Sequence, residues 1–525
     1  MASKPNYLTK FPSNIENSSL EKKVLKGAYS KPTKQFSQKF AGQLLELEPN
    51  QIIDEALLKD IESKMAFHRF SWLTESTSEI EYGWVAKFWT YWATKYGDNR
   101  EGLAWQPYTT SERLINLVRF FCHNGFPDPS EETIGILIKH GQHIFDNLEY
   151  FGEKQTGNHF INNGRALYLA GDLLKNEIWM DIGSRIIINH SKNIFDPSGT
   201  LREGSAHYHL LITSWYLECW LVAREQSRVE ERDLLEIATM ALSAASIFDM
   251  PGGIPLIGDV SPDCTPGYLY CLLNGELSGW LYKQKTTNQH RIKRLINHSM
   301  ESTKTGNSEY CIRRDFGPWS IIWTKSKDGW QPYPGHSHQD FGGFELHLNK
   351  ERVFVDIGRG SYGVHGEIDK LAASHNVLTI DGQPAYPENR AYYNKEFRKK
   401  ISRSPPTWEI KENEFSLFSE SFSRIKGVIS WTRHYYLGKD KVIIVDKVNG
   451  TGVHKIDRYL NTLWVPKNID NKIYCGPIKL VGDESVQFFK AKYWHSYAQS
   501  YIANVIKFSA FKKLPYKGIL YIYKN

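Results

Sequence analysis

The feature that most constrains this chain is a switch of hydrophobic period near residue 300 of its 525. Before the switch, apolar residues return every three or four positions. Trp84, Val85, Phe88, Trp92 and Tyr96 do so from Tyr82 onward, which is the spacing of one helix face. Thr110 to Arg113 open a second run through Leu114, Leu117, Val118 and Phe121. A third follows Pro129 with Ile134, Leu137, Ile138, Ile144, Phe145 and Leu148. Further helices are predicted over 162–175, 178–190, 205–224, 231–248 and 267–282, joined by short Gly, Asn or Pro loops. Strand-like alternation is nearly absent in this half, so it reads as all-α, built from consecutive antiparallel helix pairs.

Lys283 to Ser308 is polar and charged and reads as a boundary. After it the period is two. Strands are predicted over 309–314, 318–325, 342–348, 352–356, 376–381, 415–421, 427–437, 441–449, 454–463, 485–490 and 516–523, with Leu437 to Lys441 as a hairpin turn. Helices followed by strands, without alternation, make an α+β multidomain chain. We read a polar N-terminal arm over 1–60, a helical domain over 61–300 and an antiparallel β-sandwich over 301–525. The joint between two such domains is a common place for a site.

Aromatic residues make up 14% of the chain, enough for large cores and for a cleft that stacks on sugar rings. The net charge of +7 is spread along the chain, which permits an acidic partner and does not single out nucleic acid. Six cysteines without CxxC or regular spacing predict free thiols rather than a disulfide framework. No apolar run approaches the eighteen or so residues of a membrane span. The N-terminus lacks the apolar segment of a signal peptide, so a cytoplasmic chain is expected, or a periplasmic one if a leader has been removed.

The densest chemistry lies at Gly335-His-Ser-His-Gln-Asp340. Phe344, Leu346 and Leu348 then alternate with Glu345 and His347, which predicts a half-buried strand. Asn349-Lys350 is a turn, and Val353 to Val355 lead to Asp356. His336 and His338 are two apart, so an extended backbone points both into one pocket. His338, Asp356 and His375 form an N,N,O set suited to a borderline metal such as zinc. Solvated or hydrogen-bonded histidines are the competing reading. In the helical half, Asn158 and His159 offer donors for a carboxylate, against a competing role in helix capping. Ser205 caps a helix that carries Tyr208 and His209 in its first turn, where a tyrosine ordinarily packs. The turn from Gly258-Asp259 to Asp263 caps or bridges.

Taken in order, Asn158-His159 with Asn162, EGSAHYH at 203–209, IGD at 257–259, GHSHQD at 335–340, VDIGRGSY at 355–362 and SHNVLTIDGQ at 374–383 resemble the heparinase II/III-like polysaccharide lyases, over residues 80–460. The resemblance implies an incomplete (α/α) toroid followed by an antiparallel β-sandwich, and β-elimination at a uronic acid beside a glycosidic bond. It implies that Asn158 and His159 neutralise the uronate carboxylate. Tyr208 would act as acid and, for syn elimination, as base, and His336 would take the base role on the opposite face. Asn162, Glu203, His209 and Tyr362 would contact substrate, an anionic polysaccharide or oligosaccharide. His338, Asp356 and His375 would hold one structural divalent metal, zinc by its donor set, with calcium or manganese as alternatives. A cationic or metal-rich surrounding would lower the tyrosine from its reference pKa of about 10. Two other functions compete. A metal-dependent hydrolase shares the His-x-His-x-Asp pattern but needs further ligands and an α/β frame. A non-catalytic acidic-glycan-binding protein would have no need of Tyr208 and His336.

Overall fold

A computed structural model describes residues 4–525 apart from 17–26, 28–30, 76–79, 154, 302–306, 331–334 and 391. Its first half is helical. The helices Tyr82–Tyr96, Pro107–Asn124, Ser130–Asp146, Asn158–Leu174, Glu177–Ile194, Ala206–Glu225 and Glu231–Ala245 follow one another through short loops. Local chemistry sets their ends. Pro107 stands at a first-turn position, Asn176 accepts the Trp179 amide at 3.1 Å, and Ser205 Oγ accepts the Tyr208 amide at 3.1 Å. Glycine sets how closely two of them pack. A Cβ on Gly183 would lie 2.5 Å from Gly164 O, so the helices Asn158–Leu174 and Glu177–Ile194 touch backbone to backbone there.

Three expectations for this half need correction. The predicted helix over 267–282 is three short helices, Pro266–Leu269, Cys271–Asn274 and Gly279–Tyr282, interrupted at the left-handed Gly275. The predicted boundary lies partly on 302–306, outside the described residues, and its earlier part is the helix Thr286–Glu301. That helix buries Ile292 and Ile296 in the helical core while its other faces stay polar, so composition concealed it. The polar arm contains a β-hairpin, Phe36–Phe40 paired with Gln43–Leu47. Phe36 and Phe40 pack on Trp72 and Phe88 of the helical half.

The second half is antiparallel throughout. One sheet runs across Lys467–Ile469, Lys472–Cys475, Ile478–Gly482, Tyr516–Lys524, Lys441–Gly450, Val428–Leu437, Glu414–Ser419 and Thr407–Ile410. Two four-stranded sheets face it: Ser485–Ser496, Gln499–Lys513, Val453–Thr462 and Leu378–Ile380, and Cys311–Phe316, Trp319–Thr324, Phe344–Leu348 and Glu351–Phe354. They meet where the Val355 amide donates to Asn461 O at 3.0 Å. Trp323, Phe415, Tyr435, Ile506 and Leu520 share the core between the layers. Inside it Asp446 is fully buried between Arg433, at 2.7 Å, and Arg458, at 2.9 Å. The long strand Gln499–Lys513 and the short helix Lys395–Ser402 escaped prediction because polar residues interrupt their patterns.

The strand Phe344–Leu348 is buried on both faces, not half-buried. Its outward residues Glu345 and His347 pair with each other at 2.8 Å. The Gly252 amide donates to His347 Nδ1 at 3.0 Å, and Arg352 Nε donates to Gly252 O at 2.9 Å. The helical half therefore covers the face that alternation assigned to water. The two halves share this contact, and the site lies along it.

Candidate active site

Three backbone segments meet at Gly258. It has φ +74°, and a Cβ there would run into Gly204 O and come within 2.8 Å of His336 O, so only glycine allows the approach. The Ala206 amide donates to Ile257 O at 3.0 Å, and the Asp259 amide donates to His336 O at 3.0 Å. These bonds fasten the start of the Tyr208 helix, the Gly258-Asp259 turn and the His336 loop to one another.

Around that knot the Tyr208 ring stacks on the His336 ring, with centroids 3.7 Å apart and planes 13° from parallel. Tyr208 Oη lies 2.7 Å from Tyr362 Oη. Asn158 and His159 begin the helix Asn158–Leu174, one turn further into a helix than predicted. Asn158 Nδ2 donates to Glu203 Oε2 at 2.6 Å and lies 3.2 Å from His336 Nε2. His159 is half exposed, lies against the Tyr108 ring at 4.5 Å with the planes tilted by 42°, and bonds Glu149 at 2.8 Å. Tyr208, His336, Asn158 and Tyr362 thus converge from both halves of the chain, with His159 next to Asn158 in its helix and turned to Tyr108 and Glu149.

Asp259 organises the histidines. His336 Nδ1 lies 3.1 Å from its Oδ2, His338 Nε2 lies 2.8 Å from its Oδ1, and Arg359 reaches it at 3.1 Å. His336 Nδ1 thus faces the Asp259 carboxylate, while its Nε2 lies 3.2 Å from Asn158 Nδ2 and 3.4 Å from Glu203 Oε2. Burial opposes the charge on Asp259, but its bonds to His336 and His338 outweigh this and hold it well below the usual carboxylate range. Arg359 also lies over the Tyr362 ring at 4.8 Å.

Tyr208 departs from expectation. Burial pushes its pKa well above the ordinary value; the bond to Tyr362 works the other way, and Asp263 and Asp259 add to the rise. Burial, helped by acidic neighbours, therefore keeps the phenol neutral. Desolvation opposes the charge on His159, but Glu149 overcomes it and raises the pKa.

Other expected contacts move to supporting roles. Glu203 is buried and accepts both the amide and the side-chain NH₂ of Asn158, so it orients Asn158 rather than facing substrate. Asn162 is fully buried, one turn further along, with its carbonyl bonded to Arg165 at 3.1 Å. His209 is also fully buried. Its Nδ1 accepts the Leu201 amide at 3.1 Å and its Nε2 bonds Ala241 O at 2.9 Å, which makes it a brace between loop and helix and leaves no surface for a substrate. Asp259 and Arg359 were visible within IGD and VDIGRGSY, but nothing local showed that both would meet the histidines.

His338, Asp356 and His375 lie together, with ligand atoms within 4.8 Å of one another and all three residues buried. His375 Nδ1 bonds Asp356 Oδ2 at 2.9 Å, while His338 Nδ1 and His375 Nε2 are buried without a hydrogen-bond partner. Buried bare imidazole nitrogens are costly unless something binds them, so these residues fit a metal ion. His336 and His338 share Asp259 but serve different groups, one beside Tyr208 and the other in this cluster.

Residues 55–250 match the heparinase II/III N-terminus, and residues 299–471 match the heparinase II/III-like C-terminal domain. The chain belongs to the heparinase II/III-like family. A heparin-sulfate lyase of Bacteroides thetaiotaomicron is 23% identical over 385 residues, or 63% of this chain and 53% of the relative. The chain thus spans about half the length of the curated relative it matches. Among solved structures, heparinase III aligns with a TM-score of 0.65 at 17% identity, over 88% of this chain and 77% of its own. A heparan sulfate lyase from Pedobacter heparinus aligns with a TM-score of 0.54 at 16% identity, over 91% and 80%. These likenesses establish the fold of this heparinase II/III-like chain as an incomplete (α/α) toroid followed by an antiparallel β-sandwich.

Proposed function

We propose that this protein is a polysaccharide lyase that cleaves an anionic, uronate-containing polysaccharide by β-elimination. The observation that carries the reading is the Tyr208–His336 stack beside Asn158, which sets a phenol kept neutral by burial and an imidazole at one point of the cleft. Elimination removes the proton on C5, alpha to the uronate carboxylate. The electron pair left behind becomes the C4–C5 double bond, the C4–O4 bond breaks, and O4 takes a proton. His336 Nε2 is suited to take the first proton, and Tyr208 Oη, held neutral, to give the second. Asn158 and His159 supply donors for the carboxylate as its charge grows, and one such donor is typically worth roughly 3–4 kcal/mol. Tyr362 positions the Tyr208 hydroxyl.

The relatives' names point to a heparan-sulfate-type glycosaminoglycan as the substrate class. The N,N,O donors of His338, Asp356 and His375 suit zinc best. Bound there, the ion would supply positive charge that fixes the loop carrying His336. No helix among the described residues is long and apolar enough to cross a membrane.

The test is ultraviolet absorbance of the conjugated double bond when the protein is offered heparan sulfate and other uronate polymers. An increase that is lost in Tyr208→Phe and His336→Ala is the expected result. New reducing ends without that absorbance would show hydrolysis and overturn the reading.

A further inference from the structure

Two hairpins outside the family-matched segments meet beside the catalytic residues. One is Phe36–Phe40 with Gln43–Leu47; the other is Ser485–Ser496 with Gln499–Lys513. Their turns touch. A Cβ on Gly42 would stand 2.7 Å from Ala498 Cβ and 2.7 Å from Tyr497 O. The first hairpin is fastened to the helical half, where Ser63 Oγ donates to Phe40 O at 3.0 Å, and to the segment just before it, where Gln43 Nε2 donates to Leu57 O at 2.9 Å. The second is fastened to the loop that carries Arg359 and Tyr362. Trp494 N donates to Ile357 O at 2.8 Å and Ala498 N to Gly360 O at 3.0 Å. Tyr362 N donates to Tyr497 Oη at 3.2 Å, and the two rings meet edge to face at 5.5 Å.

This junction is packed rather than loosely apposed. Ala41, Tyr493, Tyr497 and Ala503 are buried within the helical core cluster. It stands one tyrosine beyond the catalytic hydroxyl: Tyr208 Oη bonds Tyr362, and Tyr362 bonds Tyr497. The touching turns also border a cavity of about 330 Å³, lined by Gln38, Lys39 and Gln499 of the hairpins and by Ser261 and Asp263, and not by Tyr208 or His336 themselves.

We propose that the two hairpins wall off one end of the cleft, so that the protein takes a free end of its anionic polysaccharide and cleaves exolytically. This rests on the lyase reading for the chemistry, but the closed end is testable without turnover.

The experiment has two arms. In the first, the Tyr208→Phe variant of the full chain is saturated with heparan sulfate fractions of short and of long chain length, and bound protein per chain is measured by sedimentation. The expected result is one protein per chain at both lengths; occupancy that grows with chain length would overturn the proposal. In the second, the parent protein's unsaturated products are sized at the earliest conversion. Release of the smallest unit alone is expected, with the double bond on that unit if the reducing end is taken and on the new end of the polymer if the non-reducing end is, and with the polymer's size distribution nearly unchanged; a ladder of intermediate sizes would overturn the closed end. End-limited binding with no double bond formed would leave the wall standing and count against the lyase reading instead.

Discussion

Tyr208 and His336 lie face to face at 3.7 Å although 128 residues separate them in the chain. The contact is a stack and not a hydrogen bond, so each keeps its own polar atom for other partners. Tyr208 Oη turns to Tyr362 and His336 Nδ1 to Asp259. Two proton-carrying groups are thereby held together without neutralising each other. Replacing Tyr208 by Phe should leave the stack and the fold intact while lowering the elimination rate by roughly 10²–10⁴-fold, the usual worth of a general acid or base. The check is the rate of double-bond formation beside an unchanged thermal melt.

Asp259 holds His336, His338 and Arg359 at once. Asp259→Asn keeps the shape but replaces an acceptor with a group that can present an NH₂ to the histidines. Outer partners of this kind typically cost about 10–100-fold in metal affinity or activity. We expect turnover and metal retention to fall together in Asp259→Asn, read by initial rates and by elemental analysis of the same sample. A loss of rate with full metal retention would confine its role to His336.

His209 distinguishes a brace from a substrate contact. Both its nitrogens are used inside the protein. His209→Ala should lower the melting temperature by the equivalent of about 1–3 kcal/mol, the price of unmade buried hydrogen bonds, and leave KM of the folded protein unchanged. A raised KM with normal stability would return His209 to the substrate.

Acid should unfold the protein through two buried carboxylates. Burial opposes the charge of Glu218, but Arg119 and Arg165 hold its pKa at about 2. Asp446 is likewise held at about 2, by Arg433 and Arg458 against burial. Both are depressed in the folded state, so their stabilisation is complete above the unfolded value of about 4 and is lost as pH falls toward 2. Melting temperature should fall steeply across that window. Glu218→Gln should flatten the slope and destabilise at neutral pH by roughly 3–5 kcal/mol, because it leaves the buried Arg165 charge under-compensated.

His375→Ala removes one of the three buried groups that fit a metal ion. The parent protein should carry a divalent ion that co-purifies and raises its melting temperature by mass action, and the variant should carry none. Elemental analysis with melts before and after chelation checks this.

The sequence by itself determined the order of the architecture, because a period of 3.6 and a period of 2 cannot bury the same face. It also determined the local devices that act within one turn of chain, such as the Ser205 cap that sets Tyr208 in the first turn of its helix. Tertiary structure decided the rest. Glu345 and His347 alternate like exposed strand residues, yet they are buried because the helical half covers that sheet. The sequence left Tyr208 open to a lowered pKa, and it is raised because folding buries the phenol and, to a lesser degree, brings Asp263 and Asp259 to it. Asp259 read as part of a turn until two histidines nearly eighty residues away closed on its two oxygens. Glu203 and His209 share a motif with Tyr208, but only packing turned one toward Asn158 and the other into the core. The physical reason is the same in each case. Hydrophobic period is written residue by residue, whereas burial and charge at a site are sums over segments that meet only after the chain has folded.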